Sequence, residues 1–122
     1  MSSNRSGYFS KASLPAVQAA FNEAQGDKRE LEGWLSLYVG PGARTIELTA
    51  DGSLLFAAIT NSAELVAIDP VTMTILNRVR TDRYAVGLDV APDGSQVWVT
   101  AQGKSGQGGN SVCVFSVERL AE

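Results

Sequence analysis

A chain of 122 residues that is 44% apolar and 19% charged has the size and composition of one globular domain, and is neither disordered nor fibrous. Ten Lys and Arg against 13 Asp and Glu give a formal charge of −3, which argues against a nucleic-acid backbone as partner because no concentrated positive field stands out. Histidine is absent and Cys113 is the single cysteine, so the commonest general base, the commonest metal ligand and an internal disulfide are all excluded.

From the N-terminus, Met1 to Gly7 carries no apolar stretch behind Arg5, so no export signal is read there. No run in the chain approaches the roughly 18 apolar residues of a membrane span. Ser13-Leu14-Pro15 then opens a predicted helix, with Ser13 as N-cap and Pro15 tolerated in the first turn. Leu14, Val17, Phe21 and Ala24 keep helical spacing and Gly26 is placed to stop it. This amphipathic segment is expected to pack against the strands that follow or to lie in an inserted loop, and docking of a partner is the other reading. The charged stretch 25–32 reads as a solvated connection.

Eight strands are predicted beyond it. The stretch 33–39 is the outer strand of a first unit, followed by 45–49, 54–59, 64–68 and 74–80, then 87–91, 96–100 and 111–116. The last two groups repeat. Thr45 to Ala57 lies over Gly87 to Val99 at an offset of 42 residues, with Ile46/Leu88, Leu48/Val90, Leu55/Val97 and Phe56/Trp98 matched and Asp-Gly-Ser unchanged. Glu64 to Asp69 then matches Ser111 to Ser116, the second copy having gained the glycine-rich stretch 103–109. Asp51-Gly52 and Asp93-Gly94 fall between apolar runs, where a hairpin needs residues that tolerate positive φ. Runs 54–59 and 65–68 are nearly continuously apolar, as in a sheet covered on both faces, whereas 74–80 alternates and carries charge like an exposed edge. A period near 40 to 45 residues with four short strands per unit is the signature of β-propeller blades. The fold class is therefore all-β, about two four-stranded antiparallel blades with a short N-terminal helix. The chain divides into a segment 1–32, blades over 33–117 and a tail 118–122.

The Asp-Gly turn between apolar strands, the strand ending in Ile68-Asp69, and the second copy's Gly87-Leu88-Asp89-Val90, Ala101-Gln102-Gly103 and Gly108-Gly109-Asn110-Ser111-Val112 resemble the bacterial YVTN-repeat, or surface-layer-type, β-propellers. The resemblance covers roughly 33–117. It implies a module that presents loops for binding, and a periplasmic or extracellular setting for a full-length protein. Propellers of this kind also include lactonase-like and cofactor-bearing enzymes, whose catalytic residues would lie on blades outside this chain, and single-stranded nucleic-acid binders. A closed ring needs at least four blades, so self-association or further blades are expected, beside a ligand or protein partner that the sequence does not identify.

Local chemistry points to no reaction. Gly103-Lys104-Ser105 lacks the preceding glycine and following helix of a phosphate-binding loop, and 40–44 lacks the third glycine of a dinucleotide site. Asp51, Asp69 and Asp93 read as turn residues, while Glu47 and Asp89 on the innermost strands could line a central channel. Cys113 reads as a small hydrophobe, and Trp34, Tyr38, Tyr84 and Trp98 as packing between blades. No catalytic residue, metal ligand or cofactor site is assigned. In a four-stranded meander the connections 40–44, 60–63, 82–86 and 101–110 emerge on one side, opposite the tight Asp-Gly and Asp69-Pro70 turns. Recognition concentrates in long loops on a rigid frame. Arg44, Asn61, Arg83, Tyr84, Lys104 and Asn110 are the predicted ligand-binding residues, with Arg44 nearest the channel mouth. The alternative reading makes 103–109 a flexible, merely tolerated insertion.

Overall fold

The computed structural model describes residues 2–3, 6–24 and 33–119. Within them the chain runs β1 (Ser2–Ser3), β2 (Tyr8–Lys11), α1 (Leu14–Ala24), β3 (Leu35–Tyr38), β4 (Ala43–Leu48), β5 (Leu55–Ile59), β6 (Glu64–Asp69), β7 (Thr74–Arg80), β8 (Ala85–Val90), β9 (Gln96–Ala101) and β10 (Ser111–Ser116). Every pairing is antiparallel between strands adjacent in the chain order of strands. Three sheets result, β1-β2-β3, β4-β5-β6-β7 and β8-β9-β10. They stack face to face, with β1 against β4 and β4 against β8, so the first strands of successive sheets lie together.

The middle sheet shows why its strands read as continuous apolar runs. All five residues of β5 are buried, because Leu55, Ala57 and Ile59 point to the first sheet while Phe56 and Ala58 point to the last. Leu55, Ala57 and Ile59 join Val66 and Ile68 against Phe9, Val39 and Ala43. On the other face Phe56, Ala58 and Leu65 meet Ala85, Val97 and Val99, with Leu88, Val90, Cys113 and Phe115 packed around them. Side chains such as Phe56 and Leu65 each stabilise the stack by about 1.5–3 kcal/mol through burial. Polar clips fix the spacing. Thr45 Oγ1 donates to Val86 O and the buried Thr60 Oγ1 to Ala85 O, both at 2.7 Å, joining the middle and last sheets. Arg78 Nη1 donates to Val39 O at 2.7 Å, and Lys11 Nζ reaches the carbonyl of Pro70, joining the first and middle sheets.

The two Asp-Gly turns superpose in detail. Gly52 N donates to Thr49 O at 2.9 Å and Gly94 N to Ala91 O at 2.8 Å, with φ of 73° and 74° at the glycines. Asp51 Oδ1 accepts from Ser53 N and Oγ, and Asp93 Oδ1 from Ser95 N and Oγ, so both carboxylates close Asx turns. Asp69 does the same for Val71 N at 2.8 Å and Thr72 N at 3.2 Å. The repeat extends to an irregularity: the register slips between Ala43 and Thr45 and, 42 residues on, between Ala85 and Gly87. These bulges let each first strand begin two residues before its expected start.

Two expectations change and two gain structural detail. The strand over 35–38 pairs with Tyr8–Lys11, which sequence reading had not assigned, because only four residues of mixed polarity show no clear period. The helix is present, with Ser13 Oγ accepting from Ala16 N at 3.3 Å, and sits within the β2–β3 connection, yet it buries no residue against the described sheets. Phe21 is 79% exposed. The expected helix stop at Gly26 and the connection 25–32 lie outside the described residues. Trp34, Tyr38 and Trp98 are exposed, Trp98 because it points to the face of the last sheet that no described sheet covers while Val97 and Val99 turn inward. Finally, 103–109 takes the form of a hairpin: Lys104 and Gln107 exchange two backbone hydrogen bonds of 3.0 Å, and Ser105 and Gly106 take φ of 54° and 74°.

Candidate functional site

Strand direction places four connections on one side of the stack, and they hydrogen-bond to one another. Thr60 N donates to Gly42 O, Thr81 N to Ala63 O, Gln102 N to Tyr84 O and Gly103 N to Arg83 O, at 2.9–3.0 Å. Between them lies a cavity of about 590 Å³ lined by residues 60–63, 80–84 and 104. It straddles the junction of the middle and last sheets. Its walls are the β5–β6 turn, the crossing from β7 to β8, and the glycine-rich hairpin.

Asp82 holds this corner together. Its Oδ2 accepts from Ser111 Oγ at 2.6 Å and Gly109 N at 3.0 Å, and its Oδ1 from Arg83 N at 2.7 Å. These donors, Ser111 foremost, hold its carboxyl below the ordinary value and commit its lone pairs within the protein. Arg83 Nη1 donates to Gln107 Oε1, tying the hairpin tip to the crossing. Lys104 Nζ stands 5.7 Å from the centre of the Tyr84 ring, a cation–π contact, and Tyr84 itself is held at a φ of 60°. A side chain at Gly108 would meet Asp82 Oδ1 at 2.6 Å, so the close docking of the hairpin depends on glycine there. Ser62, also in the lining, has a buried hydroxyl with no hydrogen-bond partner among the described residues.

Of the six residues named from sequence, Asn61, Arg83, Tyr84 and Lys104 line this cavity together. Arg44 lies in the β4 bulge and Asn110, with φ of 55°, at the base of the hairpin; both are exposed and outside the lining. Sequence reasoning missed Arg80, Asp82 and Ser62. Arg80 ends a strand read as a plain edge, and the docking of Asp82 on Gly109 and Ser111 spans 27 and 29 residues, a separation no local pattern reports. Glu47 and Asp89 are exposed on the first strands of their sheets, and Asp89 Oδ1 accepts from Val90 N at 3.0 Å. Cys113 packs in the second core, its Sγ accepting from Asp82 N at 3.5 Å. Among the described residues no helix is long and apolar enough to cross a membrane.

No protein-family model and no curated protein sequence matches the chain. Solved structures do. The hydrazine synthase of Kuenenia stuttgartiensis aligns with a TM-score of 0.61 and 20% identity over 71% of this chain and 23% of its own. A protein of unknown function from Desulfotomaculum acetoxidans gives 0.62 and 25% over 75% and 27%. The β-propeller domain of Myceliophteria thermophila Cps50 (Swd1) gives 0.56 and 22% over 74% and 30%. The chain thus spans about a quarter of the length of these structures. With the stacked antiparallel sheets and the repeated turns, these likenesses make the fold that of β-propeller blades.

Proposed function

We propose that the chain is a non-catalytic binding module whose recognition site is the cavity between the middle and last blades. The observation that carries this reading is the convergence of three loops from two sheets on one concavity, each loop hydrogen-bonded to its neighbour, with Asn61, Arg83, Tyr84 and Lys104 on its wall. A rigid frame with preorganised loops is the common arrangement for recognition. Arg44 and Asn110 belong to the same loop side and would contact only a ligand that extends beyond the cavity. The finer assignment to YVTN-repeat propellers rests on the two Asp-Gly-Ser turns and the strand ending in Ile68-Asp69. The division into 1–32, 33–117 and 118–122 is proposed beside it, with β1 and β2 of the first segment pairing into the first sheet.

The test is an amide-shift screen of the labelled chain against a library of small carboxylates, phosphates, sugars and amines. Residues 60–63, 80–84 and 102–110 should respond together, and Lys104→Ala should weaken the response without lowering the melting temperature. Responses centred on the Asp51 and Asp93 turns, or turnover of a library member, would overturn the reading.

A further inference from the structure

In a chain of formal charge −3, three cations, Arg80, Arg83 and Lys104, line one cavity, and among the described residues none of them forms an ion pair. Asp82, the one carboxylate in the lining, offsets part of this charge, Arg83 foremost among the cations, but its oxygens accept from Gly109 N, Ser111 Oγ and Arg83 N and bond to no guanidinium or ammonium, so two positive charges of the three stay in excess. Arg83 spends one N–H on Gln107, leaving four of its five donors, and Arg80 and Lys104 bring further donors with no acceptor paired to them among the described residues. Ser62 adds a buried hydroxyl with no partner, a group that costs stability until something bonds to it. Like charges gathered in a concavity repel one another, so such a cluster is best stabilised by a complementary anion, and a planar guanidinium fork suits the paired oxygens of a carboxylate or phosphate.

From this juxtaposition, resting on the binding reading above, we infer that the cavity is an oxyanion site: it takes a small ligand bearing a carboxylate or phosphate group, held by Arg80, Arg83 and Lys104 with Ser62 Oγ as a neutral donor. Lys104 stands over Tyr84, so its ammonium is positioned before the anion arrives. The size of the cavity, about 590 Å³, suits a metabolite-sized molecule and not a polymer strand.

Inorganic phosphate and succinate, each titrated into the labelled full-length chain against choline chloride at equal ionic strength, separate the two sources of oxyanion. At least one should move the amides of 60–63, 80–84 and 104 saturably, with chloride inert. Arg80→Gln and Lys104→Gln should each weaken that binding by about tenfold or more, a change of about 1.4 kcal/mol, and Ser62→Ala by a few-fold. Folding of each variant is checked by its unchanged spectrum away from the cavity. Absence of saturable shifts with both anions, equal affinity in the Gln variants, or an equal response to chloride would overturn the inference. If sugars or amines move these amides and the anions do not, the oxyanion assignment falls while the binding module stands. If every response maps to the Asp51 and Asp93 turns, both fall. A single-stranded oligonucleotide whose shifts run well beyond the cavity would also overturn it, by making the cations part of an extended track.

Discussion

Replacing Thr60 with Val removes a hydroxyl while keeping the shape and β-branching of the side chain. In the folded chain that hydroxyl is buried and donates to Ala85 O at 2.7 Å across the blade junction. Its loss forfeits a net hydrogen bond of about 0.5–1.5 kcal/mol, and a buried carbonyl left short of a donor raises the cost to about 1–3 kcal/mol. For a domain near 100 residues this lowers the melting temperature by roughly 4–20 °C. Ser62, two residues on, supplies a control of opposite sign. Its buried hydroxyl has no partner among the described residues, so Ser62→Ala should be neutral or stabilising by up to about 1 kcal/mol. Urea unfolding followed by circular dichroism, repeated at several protein concentrations to separate association, measures both, with m unchanged. If Thr60→Val stays within about 0.5 kcal/mol of the parent, or Ser62→Ala loses as much as Thr60→Val, the assignment of the clip and the orphan is wrong.

Acid should weaken the fold in a defined direction. Asp51, Asp69, Asp82 and Asp93 are each held below the ordinary value of 3.8, first by Ser53 Oγ, Val71 N, Ser111 Oγ and Ser95 Oγ respectively, so the folded chain binds fewer protons than the unfolded one. Their contribution is complete above the unfolded value and is lost as pH falls through the folded ones; the urea midpoint should hold across about pH 5 to 8, where no histidine titrates, and drop below about pH 4. A midpoint that rises in acid would refute this. Gly52→Val and Gly94→Val should cost similar amounts, at least about 1–2 kcal/mol, because both glycines hold φ near 74° and neither position is crowded, the nearest atom being Thr49 Cγ2 at 3.8 Å from a Cβ at 94; strongly unequal losses in urea unfolding would break the equivalence of the turns. The repeat also equates Phe56 and Leu65, 4% and 3% exposed under the last sheet, with Trp98 and Val112, 48% and 52% exposed on its outer face. An uncovered blade face of this kind should make the isolated chain associate in light scattering, and Trp98→Lys should reduce that association; a parent that stays monomeric at high concentration would count against it.

Most of the fold was readable because the two repeated units carry their own cross-check. The offset of 42 residues aligned apolar runs and Asp-Gly-Ser turns at once, and strand edges from β4 to β10 fell within about two residues of their predicted places. The small errors at β4 and β8 come from bulges, which add a residue without leaving a compositional mark. Tyr8–Lys11 escaped because its partner strand lies beyond an intervening helix, so pairing and not local pattern makes it a strand. The cavity was half legible: loop polarity follows from strand direction, and that alone brought Asn61, Arg83, Tyr84 and Lys104 to one wall. What it could not convey was the inward fold of the hairpin onto Asp82. That depends on side-chain contacts across the blade junction, and it decides which of the polar loop residues converge.

The paired bulges at Ala43/Thr45 and Ala85/Gly87 have a consequence for how such blades diversify. At each, one residue, Arg44 or Val86, sits outside the regular ladder, while its neighbours keep the pairing that anchors the strand. The backbone of Val86 still serves as acceptor for Thr45, so the junction is secured through a carbonyl that any amino acid provides. At Val86 this contact does not depend on which side chain stands there. A long cation and a branched aliphatic occupy equivalent places in adjacent units with the same local geometry. The same backbone irregularity thus carries two different side chains at the mouth of the first strand in two successive sheets, so the architecture there is set by the main chain.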